Sequence, residues 1–219
     1  MACAPPNLTK RLIRPAGAKS GRSPNLLRRT DLPTDTAELA QYLIGKTLVH
    51  DLPEGGVSGR IVETEAYVVG DAAGHAYRGM TRRNRSLFLE RGHAYVHVAY
   101  GLHFMLNVTG ESRGIGAGVL LRALEPLEGI AWMQQRRKNL PLAGLANGPG
   151  KLAAAMGIDL EYDGMDLCDQ GPLWLGEPVR QPGLTSNSVR IGITRDAHRL
   201  LRFYERGNPY VSGPERLRI

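Results

Sequence analysis

The chain has 219 residues, 42% hydrophobic and 22% charged, enough for one large domain or two small ones with no need of a disulfide staple. Its net charge of +7 sits in the first 30 residues, which hold seven Lys and Arg and no acid, while the rest of the chain balances at 21 residues of each sign. Two cysteines, Cys3 and Cys168, argue against a disulfide framework and a cysteine zinc site and fit a reducing compartment, and no apolar run approaches the ~20 residues of a membrane span.

Residues 1–33 are rich in Pro, Gly, Ser and Arg and read as arm and linker. A basic arm over residues 1–30 favours anionic polymers or membrane surfaces, and a flexible solubilising tail is the plainer alternative. It lacks the apolar core of a secretory signal. Thr34 or Asp35 can cap a helix running to Leu43, with Leu39, Tyr42 and Leu43 as its apolar stripe and Gly45 as its stop. Strands are expected over residues 47–51 and 59–68, joined by the turn Pro53-Glu54-Gly55-Gly56.

The second of these strands carries the strongest chemical signal. A period of 2 puts Val62, Thr64, Ala66 and Val68 on one face and Ile61, Glu63, Glu65 and Tyr67 on the other. Two carboxylates on one face repel unless they are solvated, paired or used. For Glu65 the plain alternative is a surface carboxylate paired with Arg60 or Arg122. Residues 70–86 form a polar loop in which Arg78, Thr81, Arg82, Arg83, Asn84 and Arg85 suit phosphate oxygens, or simply make a solvated face.

A hairpin follows, with strands at 94–100 and 102–108 about Gly101. Its apolar face holds Ala94, Val96, Val98, Leu102, Phe104, Leu106 and Val108; its polar face brings together Tyr95, His97, His103 and Asn107. The tip Tyr100-Gly101-Leu102 is apolar where turns are polar: it inserts into something, as wedges that part stacked bases do, or folds back on the body. A strand over 116–124 ends at Glu125-Pro126, a helix covers 128–137, and Gly148-Pro149-Gly150 opens a short helix over 151–156. That helix start, with Lys151, suits an anion or is ordinary; it is not a P-loop. Residues 160–187 read as loop, and 189–194 and 202–204 as late strands. Hairpins rather than βαβ units join the strands. The expected fold is therefore α/β of the α+β type: a single compact domain over 31–219, with a curved, mainly antiparallel sheet, flanking helices and a protruding β-hairpin.

RIVETEAY at 60–67, residues 81–85 with Phe88, AYVHVAYGLHFMLN at 94–107, VLLRALEPLEG at 119–129, NGPGKL at 147–152, VRIGI at 189–193 and RFYERGNPYVS at 202–212 together resemble the alkyladenine (3-methyladenine) DNA glycosylase family, in the family's order. The resemblance implies a hydrolase that flips an alkylated or deaminated purine out of duplex DNA and cuts its N-glycosidic bond. Glu65 matches the general base that activates water, Arg122 a residue that helps hold that water, and Ile191 the position whose carbonyl is the water's third partner. Tyr67 matches the aromatic that stacks on the flipped base, and His75 a residue whose backbone N–H reads its edge. Asn107 matches the asparagine that excludes guanine by clashing with its exocyclic amine. Tyr100 matches the wedge at the hairpin tip, with Leu102 beside it. Thr81, Arg82, Arg83, Arg85, Gly150 and Lys151 fall in stretches that grip phosphates.

Position 97 departs from the pattern. It is His where familiar members have Tyr as the opposite wall of the base sandwich, and an imidazole is smaller and ordinarily titrates near neutral pH. Arg122 is expected to hold Glu65 ionised by lowering its pKa. With no lysine on the carboxylate face, water is the expected nucleophile and no lyase step follows. The resemblance implies no cofactor and no metal, double-stranded DNA with a damaged purine as partner, no membrane, a monomer, and a cytoplasmic, nucleoid-associated setting. Two rivals stand beside it: a non-catalytic nucleic-acid binding module, and a helix-hairpin-helix glycosylase suggested by Gly148-Pro149-Gly150-Lys151 but disfavoured by the strand-rich region 47–124.

Overall fold

The computed structural model describes residues 24–217. Of the arm expected over residues 1–30, residues 1–23 lie outside the described residues. Residues 24–30 lie against the body, where Leu27 is fully buried and donates its N–H to the Leu175 carbonyl at 2.9 Å.

The described residues are organised by one antiparallel sheet of eight strands. In chain order these are β1 (Thr47–His50), β2 (Val57–Tyr67), β3 (Ala94–Ala99), β4 (His103–Thr109), β5 (Gly118–Glu128), β6 (Leu173–Gly176), β7 (Thr185–Ser188) and β8 (Arg202–Glu205). The sheet order is β3-β4-β5-β2-β1-β6, with β8 also pairing β2 and β7 pairing β8. Three helices, α1 (Thr36–Tyr42), α2 (Ile130–Arg136) and α3 (Pro149–Met156), flank it. A mostly helical helix-hairpin-helix architecture is excluded. No helix among the described residues is long and apolar enough to cross a membrane.

The sheet curls because β2 changes partners along its length. Its first residues pair with β1, and Glu63–Glu65 pair with β8 while β5 runs along the other edge. Register shifts against β5 fall between Ser58 and Gly59, Ile61 and Glu63, and Glu63 and Thr64. Each extra residue bends the strand and raises its twist. The expected alternation therefore holds only from Glu63 onward. Ile61 joins Ala66 in the main core, whereas Val62 packs with Ala123, Tyr204 and Val211 in a small second cluster.

α1 starts where Asp35 accepts N–H bonds from Ala37 and Glu38, both 2.9 Å, and buries Leu39 and Ala40. With α3 it covers the apolar face of the sheet, and Leu39, Leu43, Leu106, Leu121, Leu152 and Met156 are fully buried in one core. Truncating any of these leucines to alanine costs about 2–5 kcal/mol. The base of the hairpin is arranged as the pattern predicts, whereas Val98 and Leu102 of the expected apolar face are exposed towards its tip, where the hairpin leaves the body. Ala94, Val96, Leu106 and Val108 enter the core, and Tyr95 stands opposite Asn107 and His97 opposite Met105 on the other face.

Three expectations are corrected. β5 does not stop at Glu125-Pro126; Pro126 sits opposite Gly59 beside a register shift, a place where its missing N–H is tolerated, and the strand runs to Glu128. Strands β6 and β7 form inside the region read as loop; β7 is Thr-Ser-Asn-Ser, with no apolar alternation to reveal it. Residues 189–194 are not a strand. Their polar groups serve the site: Arg190 reaches Asp71 and the Ala66 carbonyl, and the Ile191 N–H reaches Glu65.

Candidate active site

The floor of the site is a buried charge cluster on β2 and β5. Glu63 and Glu65 are both fully buried and share one guanidinium. Arg122 donates from Nε to Glu63 Oε1 at 3.0 Å, and its Nη1 lies 3.2 Å from Glu65 Oε2. Glu63 also accepts from Arg202 Nε at 2.6 Å and from the Ser212 N–H at 2.6 Å. Burial works against its charge, yet Arg122 and Arg202 hold its pKa below the ordinary value. Glu65 accepts from the Ile191 N–H at 2.6 Å and from the Tyr67 hydroxyl at 3.0 Å. Burial outweighs Arg122 and these two donors, so the Glu65 pKa is raised. That corrects the expectation that Arg122 would lower it. The surface-carboxylate alternative does not hold either, and Arg60 is taken up by Glu205 and Glu125.

Above this floor lies a cavity of about 700 Å³ lined by Tyr67, His75, Tyr95, His97, Asn107, Arg122 and Ile191 among others. Glu65 sits directly behind its contacts Tyr67, Arg122 and Ile191, all three of which line the cavity. Tyr67 carries the Arg190 guanidinium over its ring, 4.6 Å from the centroid. Arg190 forms a fully buried ion pair with Asp71 and donates to the Ala66 carbonyl at 2.9 Å, so it braces Tyr67 against the sheet. His97 stacks on Tyr95 at 5.1 Å, and burial beside His75 pushes its pKa down to about 4. It is therefore neutral at physiological pH, which corrects the expectation of a ring titrating near neutrality. His75 engages the Tyr95 hydroxyl through Nδ1 at 2.8 Å, and its carbonyl accepts from Asn84 Nδ2 at 2.8 Å.

The mouth is framed by the hairpin tip. Tyr100 and Leu102 are 82% and 84% exposed, so the tip projects from the body and does not fold back on it. Tyr100 has φ 52 and Gly101 φ 72, left-handed at both central residues of the turn that the Leu102 N–H closes onto the Ala99 carbonyl at 3.3 Å. Arg82, Arg83, Arg85 and Thr81 are exposed on their loop, which Asn84 staples by accepting from the Thr81 N–H at 2.6 Å and donating to the Gly79 carbonyl at 3.1 Å. Gly150 and Lys151 line the same cavity from the start of α3, with Lys151 Nζ 2.9 Å from Asn147 Oδ1.

The structure thus gathers Arg122, Ile191, Tyr67, His75, His97, Asn107, Tyr100, Gly150 and Lys151 around one cavity, while Glu65, fully buried behind Tyr67, Arg122 and Ile191, and Thr81, Arg82, Arg83, Arg85 and Leu102 lie outside its lining. Sequence reasoning did not reach Arg190, Asp71 or Arg137, the last a further cation on the cavity wall, and it grouped Asn84 with the phosphate contacts where the buried side chain instead ties its loop together. Arg190 and Asp71 are 119 residues apart and share no local pattern; the one signal was that Arg190 directly precedes Ile191.

A family model described as "Methylpurine-DNA glycosylase (MPG)" matches residues 30–209. The chain is 65% identical over 191 residues to a protein of Mesorhizobium japonicum provisionally named a 3-methyladenine DNA glycosylase, covering 87% of this chain and 92% of that one. Proteins of the same provisional name from Paraburkholderia phytofirmans and Methanoculleus marisnigri are 52% and 47% identical, over 88% and 81% of this chain and 91% and 94% of their own. A match over most of the chain, to the family and to relatives of nearly the same extent, settles its kinship: the chain belongs to the methylpurine-DNA glycosylase family.

Proposed function

We propose that this member of the family hydrolyses the N-glycosidic bond of alkylated or deaminated purines of the 3-methyladenine class in duplex DNA, after flipping the nucleotide, and leaves an abasic site. The observation that carries the reading is the Glu65 carboxylate, held by Arg122, the Ile191 N–H and the Tyr67 hydroxyl against the back of a cavity whose mouth bears an exposed Tyr100. A non-catalytic binding module would have no use for a buried carboxylate whose three partners face a cavity.

In this reading Tyr100 fills the gap left by the flipped nucleotide, offsetting an unstacking cost of a few kcal/mol. The base lies between Tyr67 and His97, with His75 at its edge and Asn107 excluding guanine by its exocyclic amine. An aromatic sandwich favours a cationic alkylpurine over a neutral base by roughly 0.5–2 kcal/mol. As the bond lengthens, the sugar gains oxocarbenium character. Ionised Glu65 stabilises that charge and takes a proton from the attacking water, with Arg122 and the Ile191 backbone positioning it; such general-base help is worth ~10²–10⁴-fold. Thr81, Arg82, Arg83, Arg85, Gly150 and Lys151 hold phosphates of a bound duplex, with Leu102 beside the wedge. A monomer suffices for this chemistry.

Incubation with duplexes carrying one defined lesion each, scored for free base, tests the activity. Release from at least one alkylpurine duplex is expected; tight binding to lesion duplexes without release from any would favour the binding module. Borohydride added during turnover tests the nucleophile. No covalent enzyme–DNA adduct is expected, and an adduct would assign the displacement to an amine and replace water.

A further inference from the structure

Three rings form one wall of the cavity. Tyr95 and His97 are stacked with 24° between their planes, and His75 meets His97 edge-on at 4.5 Å. Asn107, on the neighbouring strand, addresses two atoms with one nitrogen: its Nδ2 lies 3.2 Å from the Tyr95 carbonyl and 3.3 Å from His97 Nδ1. A carbonyl oxygen only accepts, so the amide nitrogen rather than its oxygen occupies that side. An N–H aimed at His97 Nδ1 needs a lone pair there, which leaves the ring proton on Nε2.

We propose that Asn107 is a positioning residue that locks His97 as the neutral Nε2–H imidazole, and that this uncharged wall lets the site take cationic N-alkylpurines. The proposal rests on the reading of the cavity as a base pocket. Protonating Nδ1 would set one N–H against another and break the bond from Asn107. The ionisable groups that line the cavity with His97 are Tyr67, His75, Tyr95, Tyr100, His103, Arg122, Arg137 and Lys151, and none of them is an acid. Two carboxylates lie outside this lining: Asp163, which accepts from the Val96 N–H at 2.9 Å and from the Ser86 hydroxyl, and Glu65, behind Tyr67 and Arg122. An imidazolium would thus have no counterion within the cavity lining and would repel a cationic base, whereas a neutral ring offers it a π face.

Nitrogen-15 NMR of the histidine rings in the full wild-type chain tests the lock. Between about pH 5.5 and pH 8, His97 Nδ1 is expected to resonate as an unprotonated nitrogen and not to titrate. A protonated Nδ1, or titration within that range, would overturn the proposal. Asn107→Asp tests the consequence, because a carboxylate cannot donate to Nδ1 and draws a proton onto it. In this variant the KM for a 3-methyladenine duplex should rise at least about tenfold from pH 8 to pH 5.5, with the hypoxanthine-duplex KM moving less than about twofold and the wild-type ratio flat. A flat ratio in the variant would overturn the link to cationic substrates. If the variant does not fold, the wild-type NMR result decides the lock. A wild type that releases neither base would sink the base-pocket reading instead, a failure separable from the NMR result.

Discussion

Glu63 and Glu65 are the same side chain two residues apart, and their surroundings drive them in opposite directions. Glu63 has two guanidinium partners and a backbone N–H, and its pKa falls; Glu65 has half a claim on one guanidinium, and its pKa rises. A carboxylate lowered in the folded state adds stability above its unfolded pKa, which disappears as pH falls through the folded value. One raised in the folded state costs stability once pH climbs past the unfolded pKa. Thermal melts at pH 7 should therefore show Glu63→Gln strongly destabilised, by about 3–5 kcal/mol as for a broken buried ion pair, and Glu65→Gln much less so. The same asymmetry shapes the pH–rate profile. The acid limb of kcat should lie above the ordinary glutamate range, and His97, titrating at about 4, should add no limb near neutrality. Where Glu63→Gln folds, that limb should move to lower pH, since a like charge beside Glu65 is gone; an unmoved limb would make Glu63 purely structural. Arg190→Ala strands Asp71 in the interior and should lower the urea midpoint by an amount equivalent to about 3–5 kcal/mol.

Legibility in the sequence was decided at the level of elements. The hairpin was readable because both strands alternate cleanly and one face must be buried, so the faces carrying Tyr95, His97 and Asn107 followed from period alone. β2 was readable only in its second half, because bulges break the period and leave no mark in residue type. β7 could not be read, since a polar edge strand owes its existence to pairing with β8. Residues 189–194 look like a strand by composition but lose their ladder to Asp71, Ala66 and Glu65, all distant in sequence. The Tyr67, Glu65 and Arg122 positions were legible through motif resemblance; the brace behind Tyr67 was not. The hairpin tip gives a prediction of its own. Tyr100 is exposed, so Tyr100→Ala should change fold stability by no more than about 0.5 kcal/mol in denaturant melts. Base release from a fully paired lesion should nevertheless fall well below release from the same lesion in a mismatch, where less unstacking is needed. Equal losses on both would remove the wedge from the account.

At the scale of the whole molecule, charge and burial divide the work. The basic excess lies in the first 30 residues of the sequence, so duplex affinity should fall with salt in proportion to the phosphates contacted. Deletion of residues 1–23, which stops short of buried Leu27, removes five cations and should make the log–log salt slope shallower; an unchanged slope would mean those cations touch no phosphate. The central claim is narrower than the fold. It is that one buried acid prepares the water that cuts the bond. Wild type and Glu65→Gln compared on one duplex bearing a single alkylpurine, for both Kd and single-turnover release of free base, test it most directly. The account predicts an unchanged Kd with release slowed by ~10²–10⁴-fold. Release from Glu65→Gln at the wild-type rate would contradict it.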